Sequence, residues 1–161
     1  MNVITFLDRV GRGGSGRPST LQDGIRLTLN KTSQGIGKEA NPFDLAVRVS
    51  LKTMEAMRWV AGDRVTLDIN PTKSEACISR VVGKNTPVSW CLSPSSGCAK
   101  KENLGKMVPA VFRIRGYKRL LIALGMEDLA PGESYDPETF ITDSVGVTFP
   151  LRKQWRVNCI T

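Results

Sequence analysis

The stretch Leu45-Ala46-Val47-Arg48-Val49-Ser50-Leu51-Lys52 decides the fold class, because a strand pattern gives way to a helix start within it. Apolar residues alternate with other residues over 45–49, which is the period of a strand with one buried face and one face that carries Arg48. Ser50 is a residue type that caps helices, and the apolar spacing over 51–60 predicts a helix there. The chain therefore combines strands and helices within one short unit.

The same strand pattern recurs on both sides of this helix, with short polar turns between the repeats. A second short helix is predicted within Tyr117–Met126, where three leucines suit one face and Gly125 ends the pattern. A chain of 161 residues is long enough for one domain with a real core. We expect an α+β fold over residues 1–161, mainly antiparallel sheet with two short helices. Strands are predicted over Val3–Leu7, Ile25–Asn30, Val65–Ile69, Ala76–Val82, Pro87–Leu92, Val108–Arg115 and Val145–Phe149.

The composition narrows the function classes. Lys and Arg exceed Asp and Glu by 23 to 15, a formal net charge of +8 that favours polyanionic partners. The chain has no histidine, which removes the commonest general base and metal ligand, and its four cysteines show no C-x-x-C spacing. We expect no metal, no cofactor and no catalytic activity. A basic enzyme stays open as a third class only through acidic residues such as Asp63 and Asp68.

A glycine-rich basic segment at 11–18 contains G-x-G-x-x-G, but Pro18 follows and no βαβ unit completes a dinucleotide site. We interpret it as a flexible basic arm. Residues 1–10 carry Asp8 and Arg9 and lack a long apolar run, so no signal peptide is predicted. No apolar stretch approaches the length of a membrane span, and we expect a cytoplasmic protein without membrane contact.

The segment Phe112-Arg113-Ile114-Arg115-Gly116-Tyr117-Lys118-Arg119 holds four cations and two aromatic residues. In a strand, Arg113 and Arg115 share the face opposite to their apolar neighbours, so they form a row that suits a phosphate backbone. Tyr117 lies at the end of that row, where an exposed ring can stack on an unpaired base. This segment predicts a nucleic-acid-binding surface, and Trp59 and Trp155 also lie beside cations.

Charge segregation supports the same surface. Residues 100–119 carry seven cations and one anion, whereas 127–143 carries six acidic residues and no basic one. The acidic stretch suits a solvated loop, an internal counterion, a contact for a second subunit or an arm that contacts a polymerase. We expect the nucleic-acid site to consist of Arg48, Arg58, Lys100, Lys101, Lys106, Arg113, Arg115, Tyr117, Lys118, Arg119, Lys153, Trp155 and Arg156.

Two resemblances extend this hypothesis. The residues 45–52, followed by Trp59-Val60-Ala61-Gly62-Asp63-Arg64-Val65-Thr66-Leu67, resemble the strand, helix and "G-D-x-V" strand order of swapped-hairpin transcription factors of the AbrB/MazE type. That resemblance implies binding of duplex DNA, with Arg48, Lys52, Arg58 and Arg64 as the contacts. It is the alternative to the leading hypothesis.

As a whole, a histidine-free basic chain of this length with Arg-aromatic strands resembles the small single-stranded DNA-binding transcription regulators of podovirus-type phages, the Drc type. This resemblance implies sequence-tolerant binding of single strands, homo-oligomer formation, and roles in phage replication and early transcription in the host cytoplasm. RNA polymerase is then a further expected partner. Single-stranded DNA is the partner that the sequence favours.

Overall fold

The computed structural model describes residues 21–31, 43–82, 88–95, 101–116 and 118–153. Within these ranges the chain is mainly antiparallel sheet with two short helices, so the predicted α+β class is confirmed. The predicted strand over Val3–Leu7 and the basic segment at 11–18 lie outside the described residues. No helix in the described ranges is long and apolar enough to cross a membrane.

The first sheet, called sheet A, has three central strands of seven residues each. These are β1 (Ile25–Lys31), β2 (Phe43–Val49) and β7 (Ala110–Gly116). β2 pairs with both neighbours over its full length, with Val47 opposite Leu27 on one side and Phe112 on the other. Two-residue strands close the edges, β6 (Ser93–Pro94) beside β7 and β8 (Ser134–Tyr135) beside β1. The sheet order is therefore β6-β7-β2-β1-β8.

The second sheet, called sheet B, is also antiparallel. Its long strands are β3 (Arg64–Asn70) and β4 (Glu75–Arg80). The remaining strands are β5 (Trp90–Cys91), β9 (Ile141–Thr142) and β10 (Val147–Pro150), and the sheet order is β5-β3-β4-β10-β9. The predicted strand over Pro87–Leu92 is shorter than expected, because the chain leaves sheet B at Cys91 and joins sheet A at Ser93.

One hydrophobic core lies between the two sheets. Apolar side chains from the inward faces of both sheets belong to a single buried cluster, as the alternation predicts. The rings of Trp90 in sheet B and Phe112 in sheet A stack at a centroid distance of 6.0 Å. Trp59 is 1% exposed and belongs to this cluster, so it is a core residue and not a surface ring.

The two helices begin and end at recognisable cap residues. Helix α1 (Leu51–Met57) begins at Ser50, whose side chain accepts a hydrogen bond from the Thr53 backbone N–H at 3.2 Å. It ends three residues before the predicted Val60, because Arg58 adopts a left-handed conformation with φ of 55°. Helix α2 (Lys118–Leu124) ends at Gly125, with φ of 72°. A side chain at Gly125 would also meet the backbone nitrogen of Lys153, at 2.6 Å.

Candidate nucleic-acid interface

The three central strands of sheet A turn their polar residues away from the core. Because Leu27, Val47 and Phe112 point inward, the residues one step along each strand point outward. We call this outward surface the arginine face. It consists of Arg26, Thr28 and Asn30 on β1, Asp44, Ala46 and Arg48 on β2, and Val111, Arg113 and Arg115 on β7.

The strand register brings the arginines of this face together. Arg26 on β1 lies directly opposite Arg48 on β2. Arg113 on β7 lies opposite Ala46, so it is the diagonal neighbour of Arg48 on the other side. Directly opposed like charges destabilise a sheet unless other groups compensate them. The structure thus places three arginines around one position, and the sequence separates them by up to 87 residues.

Two of these arginines are neutralised by carboxylates within the chain. Arg26 donates from Nε to Oδ1 of Asp136 at 2.8 Å and from Nη2 to Oδ2 at 2.9 Å, a bidentate pair. Arg113 donates from Nη1 to Oδ2 of Asp44 at 3.3 Å, in a more exposed pair. Asp44 belongs to the arginine face and Asp136 lies beside it, so each lowers the local positive potential.

Arg48 differs from its two neighbours, because no carboxylate in the described residues pairs with it. Its Nη1 donates to the Thr28 hydroxyl at 3.1 Å, and that hydroxyl contacts the Ser134 hydroxyl at 2.8 Å. Burial lowers the pKa of Arg48 below its ordinary value, and repulsion from Arg113 and Arg26 lowers it further. The folded chain therefore holds a half-buried cation in a position that disfavours positive charge.

The centre of the arginine face is closed to solvent. Ala46 is on the outward face, yet it is 0% exposed, and Thr28 is 9% exposed. Long arginine side chains bury their methylene stems on a surface while the guanidinium stays near solvent. Ala46 lies between Thr28 and Arg113 in the register, with Arg48 two residues along its own strand. The centre of the arginine face is thus a packed layer.

The structure places other predicted site residues at two opposite ends of β7. Arg115 is exposed on the arginine face, and Arg119 is exposed on the first turn of α2, beyond one end of the strand. Lys101 and Lys106 are exposed at the other end, where the Lys106 carbonyl accepts from the Ala61 N–H at 3.0 Å. The exposed Arg58 follows α1, just before this contact. The strand between the two groups is about 20 Å long, so residues 101–119 do not form one compact patch.

Lys153 is engaged in ion pairs on a different part of the molecule. Its Nζ lies 3.0 Å from Oε1 of Glu127 and 3.4 Å from Oδ1 of Asp128. The hydrogen bond to Glu127 is the main reason that the pKa of Lys153 is raised. The neighbouring Arg152 forms an ion pair with Asp128 and donates to the Gly125 carbonyl at 3.1 Å. Lys153 therefore contributes to docking the end of α2 against the segment after β10.

The acidic segment 127–143 is not simply a solvated loop. It contains β8 and β9, and its carboxylates pair with Arg26, Arg152 and Lys153. Three of its six acidic residues thus act as internal counterions, one of the alternatives left open by the sequence.

Several residues of the predicted site cannot be placed, and one important arginine was missing from the prediction. Lys100, Tyr117, Trp155 and Arg156 lie outside the described residues, as does the side chain of Lys118. Arg26 was not predicted, although the alternation in β1 put it on the outward face. The register of β1 against β2 identifies Arg26 as part of the site, because it places Arg26 opposite Arg48. This register cannot be read from the sequence.

The four residues of the duplex-binding alternative do not share a surface. Arg48 is on the arginine face, whereas Arg64 is on sheet B and donates from Nε to the Ser89 hydroxyl at 2.7 Å. Lys52 and Arg58 belong to α1 and its C-terminal cap.

The chain matches no protein-family model, no curated protein and no solved structure. Within the described ranges, no three His, Cys, Asp or Glu side chains are close enough to hold a metal ion. The function must therefore be inferred from the chemistry of the arginine face.

Proposed function

We propose that this protein binds single-stranded nucleic acid, single-stranded DNA in the first instance, across the arginine face. It acts without catalysis, as a cytoplasmic, homo-oligomeric factor in replication or transcription regulation, with RNA polymerase as a further partner. The observation that carries the proposal is Arg48, which is half-buried between two other arginines and lacks a carboxylate partner in the described residues. A bound phosphate supplies the missing negative charge.

The arginine face carries more positive charge than carboxylates of the described residues compensate. Asp136 compensates the charge of Arg26, and Asp44 compensates that of Arg113. Carboxylates of the same chain can therefore neutralise arginines of this face. Arg115 is exposed, and no carboxylate in the described ranges lies within ion-pair distance of it. Surfaces that retain such positive charge are typical of proteins that neutralise phosphates and release counterions.

The shape of the face favours a single strand over a duplex. Five strands in one sheet span about 19 Å between the outer two axes, and the arginines are on the three central strands. The major groove of B-DNA is about 12 Å wide, so this face cannot enter it to reach base edges. A single strand can lie across the sheet with its phosphates against the arginines and its bases accessible to aromatic rings.

The proposed roles follow from position. Arg48, Arg113 and Arg115 contact phosphates, and Arg119 extends the path beyond the end of β7. Tyr117 comes next after β7 in the chain, and together with Trp155 it is the proposed stacking residue. Because phosphate contacts are independent of base identity, binding is expected to tolerate different sequences.

The test is a competition shift assay with a labelled single strand against unlabelled single strand or duplex of the same sequence. The proposal predicts that the unlabelled single strand competes at lower concentration than the duplex. Equal or better competition by the duplex would favour the swapped-hairpin alternative. Failure of both to bind would contradict the proposal.

Stacking is tested by Tyr117→Ala and Trp155→Ala in the same assay. Loss of a stacking ring is expected to weaken single-strand binding by about 1 to 3 kcal/mol and duplex binding by less, because duplex base faces are already covered. Each variant must first melt like the parent, since a buried ring would affect stability instead. Unchanged single-strand affinity in both folded variants would show that neither ring stacks.

A further inference from the structure

We propose that Arg48, Thr28 and the flanking guanidinium groups of Arg26 and Arg113 form a discrete site for one phosphodiester group. This inference deepens the proposed function and rests on it for the biological source of the ligand. A small phosphodiester without bases or sugar is also expected to bind at this site, and this expectation can be tested separately.

The donor geometry supports a ligand at Arg48. A guanidinium carries five N–H donors in a planar fork that matches the oxygens of a phosphate. Within the described residues, Arg48 uses a single donor, the bond from Nη1 to the Thr28 hydroxyl at 3.1 Å. That bond fixes one side of the fork against the sheet. Arg48 is partly exposed, and its other N–H groups have no hydrogen-bond partner within the described residues.

The Thr28 hydroxyl acts as a positioning group for this fork. Thr28 is 9% exposed, and its oxygen also contacts the Ser134 hydroxyl at 2.8 Å. Since Ser134 is on the neighbouring strand β8, the chain of hydroxyls links three strands of sheet A to one orientation of Arg48. A guanidinium held in this way loses less rotational freedom when it binds an anion than one on a mobile side chain.

The balance of charge indicates the class of anion. The site contains three cations, and Asp136 and Asp44 neutralise two of them. One positive charge is left, which a phosphodiester with a single negative charge compensates. Because one uncompensated charge remains at this position, the expected stoichiometry is one.

The experiment uses dimethyl phosphate as the probe, with the full-length protein labelled with nitrogen-15. Titration is followed through the backbone amide signals of the chain and the arginine Nε–H signals. The expected result is a saturable shift at Arg48 and Thr28, fitted by one site, with no comparable shift at Arg80 on sheet B. The same titration with sodium chloride at equal ionic strength corrects for screening.

Three variants separate a built site from general attraction. Arg48→Gln removes the charge and is expected to abolish the shift at Thr28, whereas the control Arg80→Gln leaves it unchanged. Arg48→Lys keeps the charge but loses the fork, so the dissociation constant is expected to rise about tenfold. Thr28→Val removes the positioning hydroxyl and is expected to weaken binding less than Arg48→Gln does.

The outcomes distinguish this inference from the proposed function. If Arg48→Gln binds dimethyl phosphate as the parent does, or if no saturable shift occurs at Arg48, the phosphodiester site is wrong even where oligonucleotides still bind. If dimethyl phosphate binds at Arg48 but no oligonucleotide binds, the site stands and the proposed function fails. If Arg48→Gln does not fold, Arg48→Lys and Thr28→Val decide, and unchanged affinity in both overturns the site.

Discussion

The two sheets share one core, but their outward faces carry different charges. We call the outward face of sheet B the hydroxyl face, since Thr66, Ser79 and Thr148 are among its central residues. The arginine face has four arginines and one aspartate on its strands, and the hydroxyl face has one arginine and two acidic residues. On β3, β4 and β10 the residues of the hydroxyl face are Arg64, Thr66, Asp68, Asn70, Glu75, Cys77, Ser79, Thr148 and Pro150.

The difference shows which features the fold requires. Both sheets need apolar residues at alternate positions to build the core, and both have them. The hydroxyl face forms without directly opposed like charges, so the repulsion between Arg26 and Arg48 is not a requirement of sheet formation. Clustered like charges lower stability, and proteins break such local rules mainly at functional sites.

The largest expected difference in affinity between the two faces appears when one charge on each face is reversed. Arg48→Glu is expected to weaken single-strand binding by about 100-fold, because it removes a phosphate contact and adds repulsion. The matched change Arg64→Glu on the hydroxyl face is expected to alter affinity by less than about twofold. Fluorescence anisotropy with a labelled oligonucleotide at low salt measures both.

Stability provides the control for this comparison. Arg48→Gln is expected to leave the free energy of unfolding within about 0.5 kcal/mol of the parent or to raise it, because it relieves repulsion while keeping most of the stem. Equal loss of affinity in the Arg48 and Arg64 variants would remove the distinction between the two faces.

The second effect is on the salt dependence. If Arg48, Arg113, Arg115 and Arg119 each neutralise one phosphate, log affinity should fall with log salt with a slope of about −2.8 for a single strand. Arg113→Gln combined with Arg115→Gln should reduce that slope to about −1.4. Titrations at several salt concentrations give the slopes, and an identical slope in parent and double variant would contradict the assignment of these two residues.

The third prediction concerns the link between the two sheets. Tyr135 on β8 donates from its hydroxyl to the Pro150 carbonyl at the end of β10, at 2.6 Å. Burial raises its pKa to about 12, so folding favours the neutral phenol. Stability is therefore expected to be intact below pH 10, the ordinary pKa, and to fall as the pH rises from 10 towards 12.

Tyr135→Phe removes both the bond and its titration. We expect a loss of about 1 kcal/mol at neutral pH and a flatter stability profile above pH 10. Urea denaturation across this pH range measures the effect. A variant that keeps the parent's steep decline would show that another group causes it.

The smallest expected effect is a gain of affinity. Asp44→Asn removes the carboxylate that pairs with Arg113 at 3.3 Å, and that arginine is 56% exposed. Exposed ion pairs are worth up to about 1 kcal/mol, so affinity for a single strand should rise about two- to fivefold at low salt. The gain should vanish at high salt. Weaker binding would mean that Asp44 orients Arg113 instead of competing with the nucleic acid.

The sequence predicted much of the fold, because local alternation determines which strand residues are buried. The strands predicted over Ile25–Asn30, 45–49 and Val108–Arg115 correspond to β1, β2 and β7 of sheet A, although β7 begins only at Ala110. Ser50 caps the helix as expected. The end of α1 was missed, since the left-handed Arg58 interrupts an otherwise helical apolar spacing.

The site was predicted only in part, because it depends on contacts between distant residues. Alternation places Arg113 and Arg115 on one face, but it cannot show that Arg26 lies opposite Arg48. It also cannot show that Asp136 pairs with Arg26, 110 residues earlier in the chain. Arg48 has no carboxylate partner in the described residues. This difference from its neighbours can be recognised only when the ion pairs of Arg26 and Arg113 are known.

The central claim is that nucleic acid lies across the arginine face, and amide NMR during titration with a short single-stranded oligonucleotide tests it most directly. The predicted result is that the amide signals of Thr28, Ala46 and Arg113 shift progressively and saturate together. Thr66, Ser79 and Thr148 on the hydroxyl face should then stay unchanged. Shifts confined to the hydroxyl face, with the arginine face silent, would contradict the account.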